Sequence, residues 1–183
     1  MENKKISVFG LFSSSAAAER GVEALLNAGF SNNAISVLMQ DSQSTKDFAH
    51  EKHTKAPEGT TTGAATGGVV GGTLGLLAGI GMLAIPGIGP FIAAGPIMGA
   101  LAGIGVGGTV GGLIGALVGV GIPEYEAKRY EGHIKNGGVL LSVHCDTTDE
   151  IARAKAILIG TSATDISSTG EAAVETPTAP SHA

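Results

Sequence analysis

The chain has 183 residues, a net charge of −5, one cysteine and no tryptophan. The length predicts one domain that carries an insertion, and the single Cys145 excludes an intrachain disulfide. Because no basic run and no basic–aromatic pattern is present, nucleic acid is not expected as a partner.

The first part of the chain, residues 1–45, reads as a β-α-β unit. Ile6 to Phe12 is a short apolar run that predicts a strand, and Ser15 is the expected cap of the helix that follows. The helix has one apolar face and should end near Ala28, before Gly29; the face consists of Ala18, Val22, Leu25 and Leu26. Ile35 to Met39 predicts the second strand, and residues 46–62 read as a polar linker.

Residues 63–122 contain no Asp, Glu, Lys or Arg, and they hold 21 of the 30 glycines. Most of these glycines recur every four residues, which places them on one stripe of a helix and lets another helix approach closely. The predicted helix-packing glycines are Gly63, Gly67, Gly71, Gly75, Gly79, Gly99, Gly103, Gly107, Gly111, Gly115 and Gly119.

The same stretch is an internal repeat, since GGVVGGTLGLLAG from Gly67 matches GGTVGGLIGALVG from Gly107. Pro86, Pro90 and Pro96 lie between the copies, and proline ends helices. We therefore expect two helices, about 61–85 and 96–121, joined by a turn over 86–96. Each helix would be about 36 Å long, enough to cross a hydrocarbon core. The alternatives are a hairpin buried between the chains of a soluble oligomer, and a disordered or aggregating segment.

Residues 123–169 read as an amphipathic helix followed by a second β-α-β unit. Pro123 suits a helix start, and Ala127, Tyr130 and Ile134 share one face of that helix. Strands are expected at Val139 to Cys145 and at Ala163 to Ser167. The helix between them should begin with a capping box of Thr147 and Glu150, and its apolar face consists of Ile151, Ala154, Ile157 and Leu158. Residues 170–183 have the composition of a disordered tail.

Two β-α-β halves predict an α+β fold, a ferredoxin-like α/β plait. Its four-stranded antiparallel sheet would carry helices on one face, with the glycine-rich hairpin inserted between the second and third strands. Lysines and an arginine flank the uncharged stretch on both sides; they are Lys46, Lys52, Lys55, Lys128, Arg129 and Lys135. By the positive-inside rule, both termini are expected in the cytoplasm and the hairpin in the cell membrane. Tyr125 and Tyr130 are placed where interfacial aromatic residues occur.

Candidate chemistry is sparse, and no enzyme, cofactor or metal site is predicted. Gly103-x-Gly105-x-x-Gly108 matches a dinucleotide fingerprint only formally, since no preceding strand is expected. His50 and His53 lie in a polar loop, where histidines are usually solvated. His144 and Cys145 are neighbours on a strand and should point to opposite faces, which disfavours a catalytic pair. Asp146, Asp149 and Glu150 are interpreted as charges at a helix start.

The chain resembles a bacterial family of small general-stress and low-temperature-induced proteins over residues 4–168. The resemblance is carried by KKISVFGLFSSSAAAERGVEALLNAGF, AISVLM, LLAGIGMLAIPGIGPFIAAGPIMGALAG, LVGVGIPEYEAKRYEGHIKNGGVLLSVHCD and IARAKAIL. It implies an α/β domain with a membrane-like glycine-rich insertion, a link to stress responses and no established catalytic residues. A similar layout occurs in a membrane-attached subunit of an alternative quinol:electron-acceptor complex.

The sequence thus predicts a non-enzymatic, membrane-associated stress-response protein that self-associates through its glycine stripes. Its expected partners are membrane lipid, further copies of the chain and other membrane proteins. Two alternatives stay open: a membrane-anchored accessory subunit of a respiratory or transport complex, and a soluble oligomeric ligand-binding domain.

Overall fold

The computed structural model describes residues 6–40, 81–85, 89–95, 97 and 112–170. These residues form an α+β domain with one antiparallel sheet, which confirms the predicted fold class at that level. The strands are β1 (Ile6–Phe12), β2 (Ile35–Gln40), β3 (Gly81–Ile85), β4 (Gly89–Ala94), β5 (Val139–Cys145) and β6 (Thr164–Gly170). Their order in the sheet is β3-β4-β2-β5-β1-β6.

The first β-α-β unit is confirmed. Helix α1 spans Ser15–Asn27 and ends before Gly29, whose φ of +91° allows the chain to reverse. The predicted cap is off by one residue, because the hydroxyl of Ser14 accepts a hydrogen bond from the Ala17 amide at 3.3 Å. Ser14 has the extended backbone that a capping residue needs, whereas Ser15 is already helical.

The prediction of a helix over 61–85 and a turn over 86–96 is wrong for the residues that the structure describes there. Residues 81–85 and 89–94 form the antiparallel strands β3 and β4, and β4 pairs with β2. Phe91 and Ala93 are buried on one face of the sheet, while Ile92 and Ala94 are buried on the other. A strand covered on both faces is apolar at every position, so its sequence has no two-residue alternation to distinguish it from a buried helix.

The second half of the chain follows the prediction closely. Helix α2 (Gly112–Gly119) lies within the expected 96–121 helix, and α3 (Glu124–Lys135) begins directly after Pro123. Strand β5 has the predicted bounds, and α4 (Thr148–Gly160) is capped by the Thr147 hydroxyl. Strand β6 is longer than predicted and reaches Gly170, because it pairs with β1 along nearly its whole length.

Helices cover both faces of the sheet, so the expectation of helices on one face is wrong. Residues of α1 and α4 pack with Val8, Val37 and Leu141 in one apolar core. Residues of α2 and α3 pack with Phe9, Leu38 and Leu140 in a second core on the opposite face. The second layer comes from the end of the uncharged stretch and from the amphipathic helix after it. We call α2 and α3 together the insertion layer.

The linker 46–62, most of the 63–122 stretch and residues 171–183 lie outside the described residues. Among the helices that the structure describes, none combines the length and the apolar character needed to cross a membrane.

Candidate functional site

A cluster of three hydrogen-bonded side chains lies between the insertion layer and the edge strand β6. The Tyr130 hydroxyl is 2.8 Å from Ser167 Oγ and donates to Glu126 Oε2 at 3.2 Å. Ser167 Oγ donates to the same carboxylate oxygen at 3.1 Å. Glu126 and Tyr130 are four residues apart on α3 and therefore share a face of the helix. We call these three residues the Glu126–Tyr130–Ser167 cluster.

Further contacts on either side of this cluster join β6 to α3 and to the turn before it. Arg129 Nε lies 3.2 Å from Asp165 Oδ2, with both side chains largely exposed. The Thr169 hydroxyl donates to the carbonyl oxygen of Gly121 at 3.1 Å. These contacts join residues more than 35 positions apart in the chain, so they hold the insertion layer against the β6 edge.

Burial of the ring raises the pKa of Tyr130 above its ordinary value of 10.0, and the nearby Glu126 carboxylate acts in the same direction. Tyr130 is therefore a neutral donor at physiological pH. The Tyr125 hydroxyl donates to Glu126 Oε1 at 3.0 Å, and this bond raises the pKa of Tyr125 as well. A neutral buried phenol that donates to a carboxylate stabilises the packing of α3, and we interpret the cluster as a tertiary link between layers.

Most of the predicted helix-packing glycines lie outside the described residues. Gly63, Gly67, Gly71, Gly75, Gly79, Gly99, Gly103, Gly107 and Gly111 are not among the described residues. Gly115 and Gly119 lie on α2, where Gly115 is half-buried and Gly119 is exposed. The buried side chains of α2 are those of Leu113, Ala116 and Leu117. On this helix, apolar side chains rather than the glycine stripe make the contact with the core.

His50, His53 and the Gly103–Gly108 fingerprint lie outside the described residues. Cys145 is buried in the core beneath α1 and α4, while His144 Nε2 lies 3.2 Å from Asp146 Oδ1. No group of three potential metal ligands occurs among the residues that the structure describes.

The acidic residues after β5 serve the start of α4. The Glu150 amide donates to the Thr147 hydroxyl at 3.2 Å, as the predicted capping box requires. The Glu150 carboxylate accepts from the Asp146 amide at 2.8 Å, so the return bond reaches one residue further back than expected.

The two tyrosines that the sequence placed at an interface differ completely in exposure. Tyr130 is fully buried in the second core, whereas Tyr125 is 69% exposed. The expectation of an interfacial position is therefore wrong for Tyr130. Glu126 and His133 were not predicted from the sequence, although both lie on the Tyr130 face of α3 at helical spacing. Ser167 gave no sequence signal, because its partner is 37 residues away.

Comparisons with protein-family models, with curated proteins and with solved structures find no match for this chain.

Proposed function

We propose that this chain is a non-enzymatic, membrane-associated stress-response protein that self-associates through its glycine-rich stretch. The observation that carries the proposal is the absence of Asp, Glu, Lys and Arg over residues 63–122, with glycines at four-residue spacing. Such a stretch is costly to expose to water, and small residues at this spacing favour close packing between helices in lipid.

In this proposal, the domain that carries the stretch is a ferredoxin-like plait. The four strands of the two β-α-β units lie in the order β6-β1-β5-β2, and all neighbouring strands are antiparallel. Two interleaved β-α-β units produce this order, because each crossover leaves room for one strand of the other unit. The hairpin β3–β4 extends that sheet beyond β2.

The position of this hairpin favours association with lipid from one side. It divides the uncharged stretch, so that outside the described elements two long uncharged runs remain, residues 63–80 and residues 98–111. The run 98–111 lies between Ile97 and α2, which belong to the same core, and the run 63–80 ends at β3 of the sheet. A two-pass crossing needs about 40 apolar residues. The runs have 18 and 14 residues. We therefore propose that the domain and both termini stay on the cytoplasmic side and that the runs enter lipid without crossing it.

Membrane fractionation followed by an alkaline carbonate wash tests the association with lipid. The full chain should sediment with membranes, resist the wash and float with vesicles after detergent removal. Recovery of the full chain in the soluble fraction without detergent would contradict the proposal. It would favour instead a soluble oligomer, in which protein covers the uncharged runs much as the second core buries Phe91, Ala93 and Leu117.

Cross-linking in lipid or mild detergent tests the self-association. Replacing Gly67, Gly71 and Gly75 together with leucine should reduce the cross-linked oligomer, because side chains on the stripe keep the backbones apart. The matched control replaces Gly132 and Gly160 with leucine as well. At these two positions an added Cβ would meet no atom within 4 Å. Co-purification with a large integral complex in place of homo-oligomers would favour the accessory-subunit alternative.

A further inference from the structure

Large hydrophobic side chains are exposed at three places in the described residues. They are Val118, 42% exposed, Tyr125, 69% exposed, and Ile159, 67% exposed. Val118 and Tyr125 lie on either side of the turn that joins α2 to α3, whereas Ile159 belongs to α4 on the opposite face of the sheet. We call residues 118–125 the α2–α3 corner.

The α2–α3 corner is a well-fixed part of the domain. The Ile122 amide donates to the Leu117 carbonyl at 3.1 Å and the Gly121 amide to the Val118 carbonyl at 2.9 Å. Gly121 has a φ of +98°, which completes a Schellman motif at the end of α2. Ile122 is buried, and Thr169 holds the Gly121 carbonyl from β6. The exposure of Val118 and Tyr125 is therefore imposed by a hydrogen-bonded turn.

Two ion pairs lie beside the α2–α3 corner, and the Glu126 carboxylate adds one negative charge. Lys128 Nζ lies 2.7 Å from Glu124 Oε1, and Arg129 is paired with Asp165. Tyr125 presents an apolar ring whose hydroxyl is bonded to Glu126. A ring with an apolar body and a polar end suits the boundary between lipid chains and headgroups.

The position of the corner along the chain indicates which partner covers it. Residues 59–123 contain no charged side chain, so Val118 lies near the end of this uncharged stretch, seven residues after the run 98–111, and Tyr125 lies just beyond the stretch. An apolar segment that enters lipid brings its flanking residues to the headgroup layer, where tyrosine is enriched. Ile159 has similar exposure but lies 36 residues beyond Pro123, far from the run.

We propose that the α2–α3 corner is the surface by which the folded domain rests on the lipid headgroup layer, with Val118 and Tyr125 inserted between headgroups. The inference rests on the membrane association proposed above and adds the orientation of the domain. The face that carries α4 and Ile159 then points away from the membrane.

The absence of tryptophan allows a direct test, because a single introduced tryptophan reports its own surroundings. The full chain is prepared as Tyr125→Trp and, as the matched control, as Ile159→Trp. Emission spectra are recorded in buffer and with vesicles of phosphatidylcholine and phosphatidylglycerol, with and without brominated chains. We expect a shift to shorter wavelength and quenching by brominated lipid for Tyr125→Trp, and no change for Ile159→Trp.

Tyr125→Ser should weaken vesicle binding about tenfold, since it removes a large apolar contact.

The outcomes separate this inference from the proposed function. Vesicle binding by the unaltered chain without a spectral change at Tyr125→Trp would overturn the orientation and leave membrane association intact. Equal changes at both positions would also overturn it. Short-wavelength emission from Tyr125→Trp already in buffer would mean that a second copy or another part of the chain covers the corner. If the unaltered chain does not float with vesicles, the orientation and the membrane association both fail.

Discussion

The imidazole Nε2 of His133 lies 2.9 Å from the carbonyl oxygen of Phe12 and so ties α3 to the end of β1. The two residues are 121 positions apart, and the whole insertion lies between them. Gly138 makes this contact possible, because a Cβ at that position would overlap the His133 ring and approach the His133 carbonyl oxygen to 2.9 Å. Because Gly138 has no side chain, the His133 ring fits beside it and can link the insertion layer to β1.

Replacing Gly138 with alanine should therefore displace His133 and destabilise the domain by about 2 kcal/mol, through overpacking and loss of the bond to Phe12. The free energy of unfolding from urea titration measures this change. Gly160→Ala is the control, since an added Cβ there meets no atom within 4 Å. A Gly138→Ala protein as stable as the control would contradict the packing described for His133.

Tyr130→Phe should lower the free energy of unfolding by about 1–2 kcal/mol, because the variant leaves the partly buried Glu126 and Ser167 short of a hydrogen bond. Tyr125→Phe is the matched control, since its hydroxyl also bonds Glu126 but lies at the surface. We expect little change from the control. Equal effects of the two substitutions would mean that the Glu126–Tyr130–Ser167 cluster does not stabilise the layer.

The raised pKa of Tyr130 predicts how stability depends on alkaline pH. The folded protein keeps the phenol proton to higher pH than the unfolded chain, whose tyrosine pKa is about 10.0. This contribution is fully present below pH 10.0 and is lost as the pH rises through the folded pKa. In a Tyr125→Phe background, the unfolding free energy should fall more steeply above pH 10 than in the double variant with Tyr130→Phe. Identical slopes in the two proteins would contradict the assignment.

Two exposed glycines should respond to alanine in opposite directions. Gly29 has a φ of +91°, so Gly29→Ala should cost about 1 kcal/mol although nothing lies near the added Cβ. Gly132 lies inside α3 with the same open space, so Gly132→Ala should stabilise the protein by about 0.5–1 kcal/mol. Thermal or urea unfolding of the pair measures both changes. Destabilisation by Gly132→Ala would argue that α3 has a different backbone there.

Disulfide trapping tests the corrected assignment of residues 89–94. Met39 on β2 pairs with Ile92 on β4, and the only native cysteine can be removed as Cys145→Ala. In that background, Met39→Cys with Ile92→Cys should cross-link under mild oxidation, since paired positions bring the Cβ atoms within disulfide reach. Met39→Cys with Phe91→Cys should not, because neighbouring strand residues point to opposite faces. Cross-linking of both pairs, or of neither, would contradict the strand.

Local chemistry made much of the domain predictable. Ile6 to Phe12 and Val139 to Cys145 are apolar runs bounded by polar or glycine residues, and both are strands with the predicted ends. The Ala127, Tyr130 and Ile134 face of α3 is buried as its spacing predicts. Thr147 caps α4 because its hydroxyl needs only an amide three residues away. Such signals are readable from sequence since their partners lie within one turn.

The candidate site was less predictable, because its partners meet only in the folded protein. Glu126 and Tyr130 share a helical face, but the sequence does not say that Ser167 lies opposite them. It also assigned both tyrosines to the same environment, whereas the contact with β6 buries Tyr130 and leaves Tyr125 exposed.

The sequence by itself determined the two β-α-β units and the uncharged glycine-rich stretch between them, because these depend on short-range periodicity, caps and composition. Only the tertiary structure decided that residues 81–85 and 89–94 extend the sheet and that α2 and α3 cover its second face. An apolar segment without periodicity is compatible with a buried helix and with a buried strand. In the folded protein, Phe91 to Ala94 pair with β2, and this pairing satisfies backbone N–H and C=O groups of both strands.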